Sequence, residues 1–138
     1  MRSILIIICM AVLSACSGTG MQPFSTTMQM SENSEGSVFV LRDTGFVGSG
    51  ALMTVSLNGK KIGKIGKGES VLGKMSKNNN YLEANFTGFA SIGLKPVQAS
   101  FAKTRKGNKY FIIKLQTGLF LNELEMFEVS ESTFKSSL

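Results

Sequence analysis

The chain has no histidine, no tryptophan and a single aspartate, Asp43. Without imidazole, histidine-based catalysis and histidine metal sites are both excluded. Cysteine is almost as scarce, with Cys9 inside the apolar run ILIIICMAVL and Cys16 in the segment LSACS. Neither leaves a thiol pair for the rest of the chain, so a disulfide framework and thiolate zinc sites are excluded there. The folded part must hold together by packing and strand pairing alone. Long hydrophobic runs are missing too. The stretch from Ile4 to Leu13 is the most apolar, yet at ~1.5 Å per residue it spans only about half of a ~30 Å hydrocarbon core, too little for a stable membrane helix.

What is present at the N-terminus has the three parts of an export signal: a positive charge at Arg2, the apolar stretch, then the small residues Ser14 and Ala15. Leu13-Ser14-Ala15-Cys16 then resembles the lipobox of bacterial lipoproteins. The resemblance implies that the Cys16 thiol receives a diacylglycerol, that the leader is cut before Cys16, and that the new amine is acylated. Small side chains before the cysteine let a peptidase seat the segment. Stable anchoring needs more than one acyl chain at ~0.8 kcal/mol per buried CH₂, and three chains exceed that need. Residues 1–15 are thus expected to be a signal peptide and Cys16 the membrane attachment. By analogy with enterobacterial sorting, Ser17 in place of Asp after the cysteine points to the outer membrane, with the protein facing the periplasm.

The 138 residues amount to one domain. Residues 16–37 are rich in Ser, Thr, Gly and Gln, show no sustained period, and read as the lipidated N-terminus and a flexible tether. About 20 such residues have an r.m.s. reach of ~25 Å, which lifts a domain off the headgroups. Phe24, Met28 and Met30 are large for a linker, and docking on the domain, on a partner or at the lipid surface all stay open. The remainder, 38–138, is about the size that buries roughly 60–70% of its extended surface, enough for one modest core.

From Val38 onward the pattern has period two. In GALMTVSLNG, Ala51, Met53, Val55 and Leu57 share one face and Thr54, Ser56 and Asn58 the other. Asn58-Gly59-Lys60 is a hairpin-turn signal. KIGKI, ESVLGKM, YLEANF, VQASFA, KGNKYFIIKLQTG and LEMFEVS follow as further strands, and ESTFKSSL as a short helix capped near Ser130. Seven or eight short strands at roughly ten-residue spacing predict an all-β, antiparallel β-sandwich.

The order of elements resembles an uncharacterised PEGA-like sandwich domain of small bacterial lipoproteins. Arg42 stands where that family ends an early strand, VSLNGKKIGKI matches its small-residue strand and hairpin, and KGNKYFIIKL matches its G-x-x-Y-[YF] strand opening. The family's Pro-Gly-x-His turn is absent, replaced by SKNNNYLEANF. The resemblance implies architecture and location, and no reaction.

Two groups of residues stand out as candidate binding sites. Lys60, Lys61, Lys64, Lys67, Lys74 and Lys77 crowd into one or two hairpins, and would form a basic rim if the turns sit at one end. The net charge of +6 also favours anionic surfaces, although lysines equally blunt exposed strand edges. Phe46, Val47, Phe89 and Ile92 lie in the glycine-rich connections TGFVGSG and TGFASIGL, where packing beneath the loop is expected over a docking patch. GESVLGKM approaches a phosphate-binding loop but has Met75 where Ser or Thr is needed. The glutamates are spread along strands, Glu123 and Glu125 on a shared face, and read as solvated. No catalytic residue, metal site or cofactor is assigned. The expected partners are the membrane, through acyl chains on Cys16, and an envelope protein or anionic envelope polymer. Without aromatics interleaved among the lysines, nucleic acid is not expected.

Overall fold

The computed structural model describes residues 35–43, 50–104, 107–117 and 122–137. Its strands are β1 (Ser37–Arg42), β2 (Met53–Leu57), β3 (Lys60–Ile65), β4 (Ser70–Lys74), β5 (Asn79–Phe86), β6 (Val97–Ala102), β7 (Lys109–Thr117) and β8 (Asn122–Val129), followed by helix α1 (Glu131–Ser136). They form two four-stranded sheets, in the orders β4-β1-β7-β8 and β3-β2-β5-β6. The chain is an all-β sandwich. Pairing is antiparallel except between β1 and β7, which run parallel in the middle of the first sheet. β1 begins at Ser37.

The hairpin between β2 and β3 forms as its sequence requires. Asn58 (φ 53°) and Gly59 (φ 79°) both take left-handed backbone, the combination that matches the twist of the flanking strands. Leu57 pairs with Lys60 and Ser56 with Lys61, but Val55 pairs with Gly63, so the register shifts by one residue at a bulge.

The core lies between the sheets. Val38 and Val40 of β1, Val71 of β4 and Phe111 and Ile113 of β7 face Met53, Val55 and Leu57 of β2 and Leu82, Ala84 and Phe86 of β5. Phe101 of β6 tilts against Phe111 with ring centroids 5.0 Å apart. Gly73 is needed at the β3–β4 margin, because a Cβ there would lie 3.0 Å from Ile62 and 3.1 Å from Leu57.

A second apolar cluster, Phe39, Leu41, Tyr110 and Ile112, lies on the opposite face of the first sheet. Helix α1 bears on it. The Ser130 side chain accepts a hydrogen bond from the Thr133 amide at 3.1 Å, capping the helix, and Glu131 pairs with Lys135 one turn on. The fully buried Phe134 then meets the Phe39 ring edge-on at 6.3 Å and the Tyr110 ring at 5.2 Å. This explains why β1 is buried at all six positions, where a half-solvated strand would alternate.

Candidate functional site

The two ends of the sandwich differ in chemistry. At one end β1 finishes at Arg42, whose guanidinium lies over the Phe86 ring at the end of β5 and donates to the Ala51 carbonyl just before β2. Burial lowers the Arg42 pKa, and the Glu69 carboxylate opposes that shift. Next to Phe86, the Thr87 amide and hydroxyl both donate to the Leu52 carbonyl, at 3.0 and 3.1 Å. A 3-10 turn follows, Gly88–Ser91. Gly88 enters it at φ 67°, the Ser91 hydroxyl donates to the Gly88 carbonyl at 2.6 Å, and the Ile92 and Leu94 amides donate to Phe89 and Ser91.

This hydrogen-bonded turn carries Phe89 and Ile92 outward. Phe89 is 93% exposed and Ile92 74% exposed, the largest such values among the described large hydrophobic residues. With Gly88 they line a shallow hollow of about 320 Å³. The expectation that these side chains pack beneath their loop is therefore wrong. The Gly88–Ser91 backbone, fixed by hydrogen bonds within the turn, directs both side chains to solvent. Phe46 and Val47 lie outside the described residues, as do Leu13, Ser14, Ala15 and Cys16 of the lipobox and Phe24, Met28 and Met30 of the tether.

The opposite end is lysine-rich. Lys60 opens β3 after the Asn58-Gly59 turn. Asn58 ties that turn to β5: its amide donates to the Tyr81 carbonyl, its side chain donates to Asn80, and its Oδ1 accepts from the Tyr81 amide. Asn80 in turn donates to the Lys77 carbonyl. Lys74 closes β4, paired with Ser37, and the Lys103 amide donates to the Asn78 carbonyl. Lys60, Lys61, Lys74 and Lys77 are thus brought together.

Lys64 and Lys67 are not part of that group. The β2–β3 and β3–β4 turns stand at opposite ends of β3, so Lys64 lies partway along the edge and Lys67 at the far end, where the Gly68 amide donates to the Arg42 carbonyl. The basic rim of six lysines becomes a pole of four with two trailing along the edge. All six are exposed, and among the described residues none forms an ion pair. Lys103 completes the pole and was missed by the sequence reading, because only the folded topology brings the end of β6 next to the β4–β5 turn.

Most of the described carboxylates engage in local contacts. Glu83 accepts from Tyr81 and Gln98, Glu125 from Gln116, and Glu69 from the Gly66 amide. Glu128 pairs with Lys109 and Asp43 with Lys114. GESVLGKM is a turn running into strand β4, without the helix N-terminus that cradles phosphate. Among the described residues no three His, Cys, Asp or Glu side chains are grouped to hold a metal, and no helix is long and apolar enough to cross a membrane. The chain matches no family model, and no curated protein matches it significantly.

Proposed function

We propose that the protein is a membrane-anchored envelope lipoprotein that acts as a non-enzymatic binding or adaptor module. Acyl chains on Cys16 hold it on the outer membrane facing the periplasm, and the sandwich presents a contact surface to a protein or another envelope component. Confinement near a membrane raises the local concentration of a weak partner, so a small contact suffices. The observation that carries the proposal is the exposed Phe89–Ile92 pair on a turn held by its own hydrogen bonds. Burying one large apolar side chain stabilises a complex by about 1.5–3 kcal/mol, and a rigid turn loses little entropy on docking.

A second function, a small ligand-binding or inhibitory module that masks a surface receptor or envelope enzyme by inserting this turn, draws on the same residues. Phe89→Ser tests the turn directly: partner binding is expected to be lost, whereas changing Lys60, Lys61, Lys64 and Lys67 to Gln leaves it intact. Masking separates from adaptation by its consequence, since only a masking module changes the activity of the receptor or enzyme it binds. Both variants change exposed side chains, so thermal unfolding is expected to stay within about 0.5 kcal/mol of the parent. Loss of binding in neither variant removes both surfaces from consideration.

A further inference from the structure

The chain enters the sandwich in the middle of the lysine pole. The Gly36 amide donates to the Gly107 carbonyl at 3.3 Å, the Met75 amide donates to the Gly36 carbonyl at 2.9 Å, and a Cβ on Gly36 would lie 3.5 Å from Lys103. Ser37, the first residue of β1, pairs with Lys74. Whatever tethers the N-terminal segment therefore pulls on this end of the domain. The Phe89 turn lies at the other end of β5, whose eight residues at ~3.3 Å each separate the poles by about 26 Å.

We infer that the lysine pole, formed by Lys60, Lys61, Lys74, Lys77 and Lys103, rests on the anionic headgroups of the bilayer that anchors the chain, leaving the Phe89 turn facing away from it. This rests on the proposed lipidation of Cys16, and it adds an orientation to the proposed function. Charge supports it. All five lysines are exposed, and none pairs with a carboxylate among the described residues. Glu128 and Glu131, the nearby acids, are already occupied by Lys109 and Lys135. Glu35 is the exposed carboxylate that remains where the chain enters. Lysines close to an anionic leaflet are attracted to it, so the pole gives the domain a preferred orientation.

Edge protection accounts for Lys60, Lys61, Lys64 and Lys74, which lie on the edge strands β3 and β4. It does not account for Lys77, in the β4–β5 turn, or for Lys103, just past β6, which join Lys60, Lys61 and Lys74 at one end.

The entry point favours this pole over the apolar one as the membrane-facing surface, because Gly36 and Ser37 lie at the lysine pole and the Phe89 turn lies about 26 Å away along β5.

The test uses the processed, membrane-purified protein reconstituted into vesicles of phosphatidylcholine, with or without phosphatidylglycerol. A fluorophore is attached to Asn78→Cys at the lysine pole or to Ile92→Cys at the other, and energy transfer to acceptor-labelled headgroups is measured. The expected result is stronger transfer from position 78 than from position 92 on anionic vesicles. The difference should vanish in 1 M NaCl, where screening acts over ~3 Å, and in a variant with Lys60, Lys61, Lys74 and Lys77 changed to Gln. Equal transfer from both positions, or stronger transfer from 92, overturns the orientation. Flotation with neutral vesicles reports the anchor separately. A protein that fails to float there refutes lipidation. The pole then stands or falls on whether flotation with anionic vesicles drops by at least ~10-fold in the four-lysine variant.

Discussion

The Arg42 guanidinium lies 4.8 Å from the centroid of the Phe86 ring, a contact that joins the end of β1 in one sheet to the end of β5 in the other. The same group donates to the Ala51 carbonyl ahead of β2. A charge placed between two sheets is stable only if it is well partnered, and here the ring, the carbonyl and the Glu69 charge supply that partnership. Arg42→Ala should cost about 2–4 kcal/mol in denaturant unfolding, from a lost cation–π contact and an unpaired carbonyl. Arg42→Lys should recover less than half, since an ammonium cannot lie flat on the ring while reaching Ala51. Full stability in the lysine variant would show that charge alone suffices.

Two glycines should respond differently to alanine. At Gly73 the new methyl meets Ile62, Leu57 and Val38 at 3.0–3.3 Å, so Gly73→Ala is expected to cost about 1–3 kcal/mol through overpacking. At Gly59 nothing lies within 4 Å, but φ is +79°, and Gly59→Ala is expected to cost about 1–2 kcal/mol through backbone strain. Gly59→Asn separates the causes, because asparagine tolerates this backbone and should restore most of the loss. Chemical unfolding of the three variants measures all of this.

Helix α1 should be the part most easily detached. Phe134→Ala removes the ring that contacts Phe39 and Tyr110, and should destabilise by about 3–5 kcal/mol. Ser130→Ala removes the cap and should cost about 1 kcal/mol. Amide exchange in Glu131–Ser136 should accelerate in both variants, and unchanged exchange would contradict the role given to this helix.

The two tyrosines give an alkaline signature uncomplicated by tryptophan, which the chain lacks. Burial raises the Tyr110 pKa, and Glu131 adds to the effect. For Tyr81, loss of solvation and the Glu83 carboxylate act in the same direction. Both groups ionise above 10 in the folded protein and near 10 when unfolded, so their contribution to stability is complete below pH 10. It is lost as pH rises toward the folded values. Tyrosinate absorbance should show midpoints above 10 that fall to 10 in denaturant, and Tyr110→Phe should leave the Tyr81 step alone.

The strands were legible because their chemistry is local. The alternation of Met53, Val55 and Leu57, the Asn58-Gly59 turn and the Ser130 cap each need only a few neighbouring residues, and each appears where its sequence places it. The parallel pairing of β1 with β7 was not legible, since it joins segments about seventy residues apart by registers that no local pattern encodes. The site divides the same way. Lys60, Lys61, Lys74 and Lys77 are close in sequence and close in space, whereas Lys103 joins them only through the β5–β6 pairing. Phe89 was misjudged for a different reason. An apolar residue in a loop is usually covered, and only the hydrogen-bonded geometry of Gly88–Ser91 shows that this one is not.

The most direct test of the proposed function is photocrosslinking in intact cells, with a photoreactive amino acid at position 89 and, as a control, at the exposed Gln98 on edge strand β6. The same pair is run in a Cys16→Ser background. The expected result is a discrete envelope adduct from position 89 that is absent from position 98 and lost without Cys16. Identical patterns from the two positions, or an adduct from position 89 that persists undiminished in the Cys16→Ser chain, would contradict an anchored module that binds through its exposed turn.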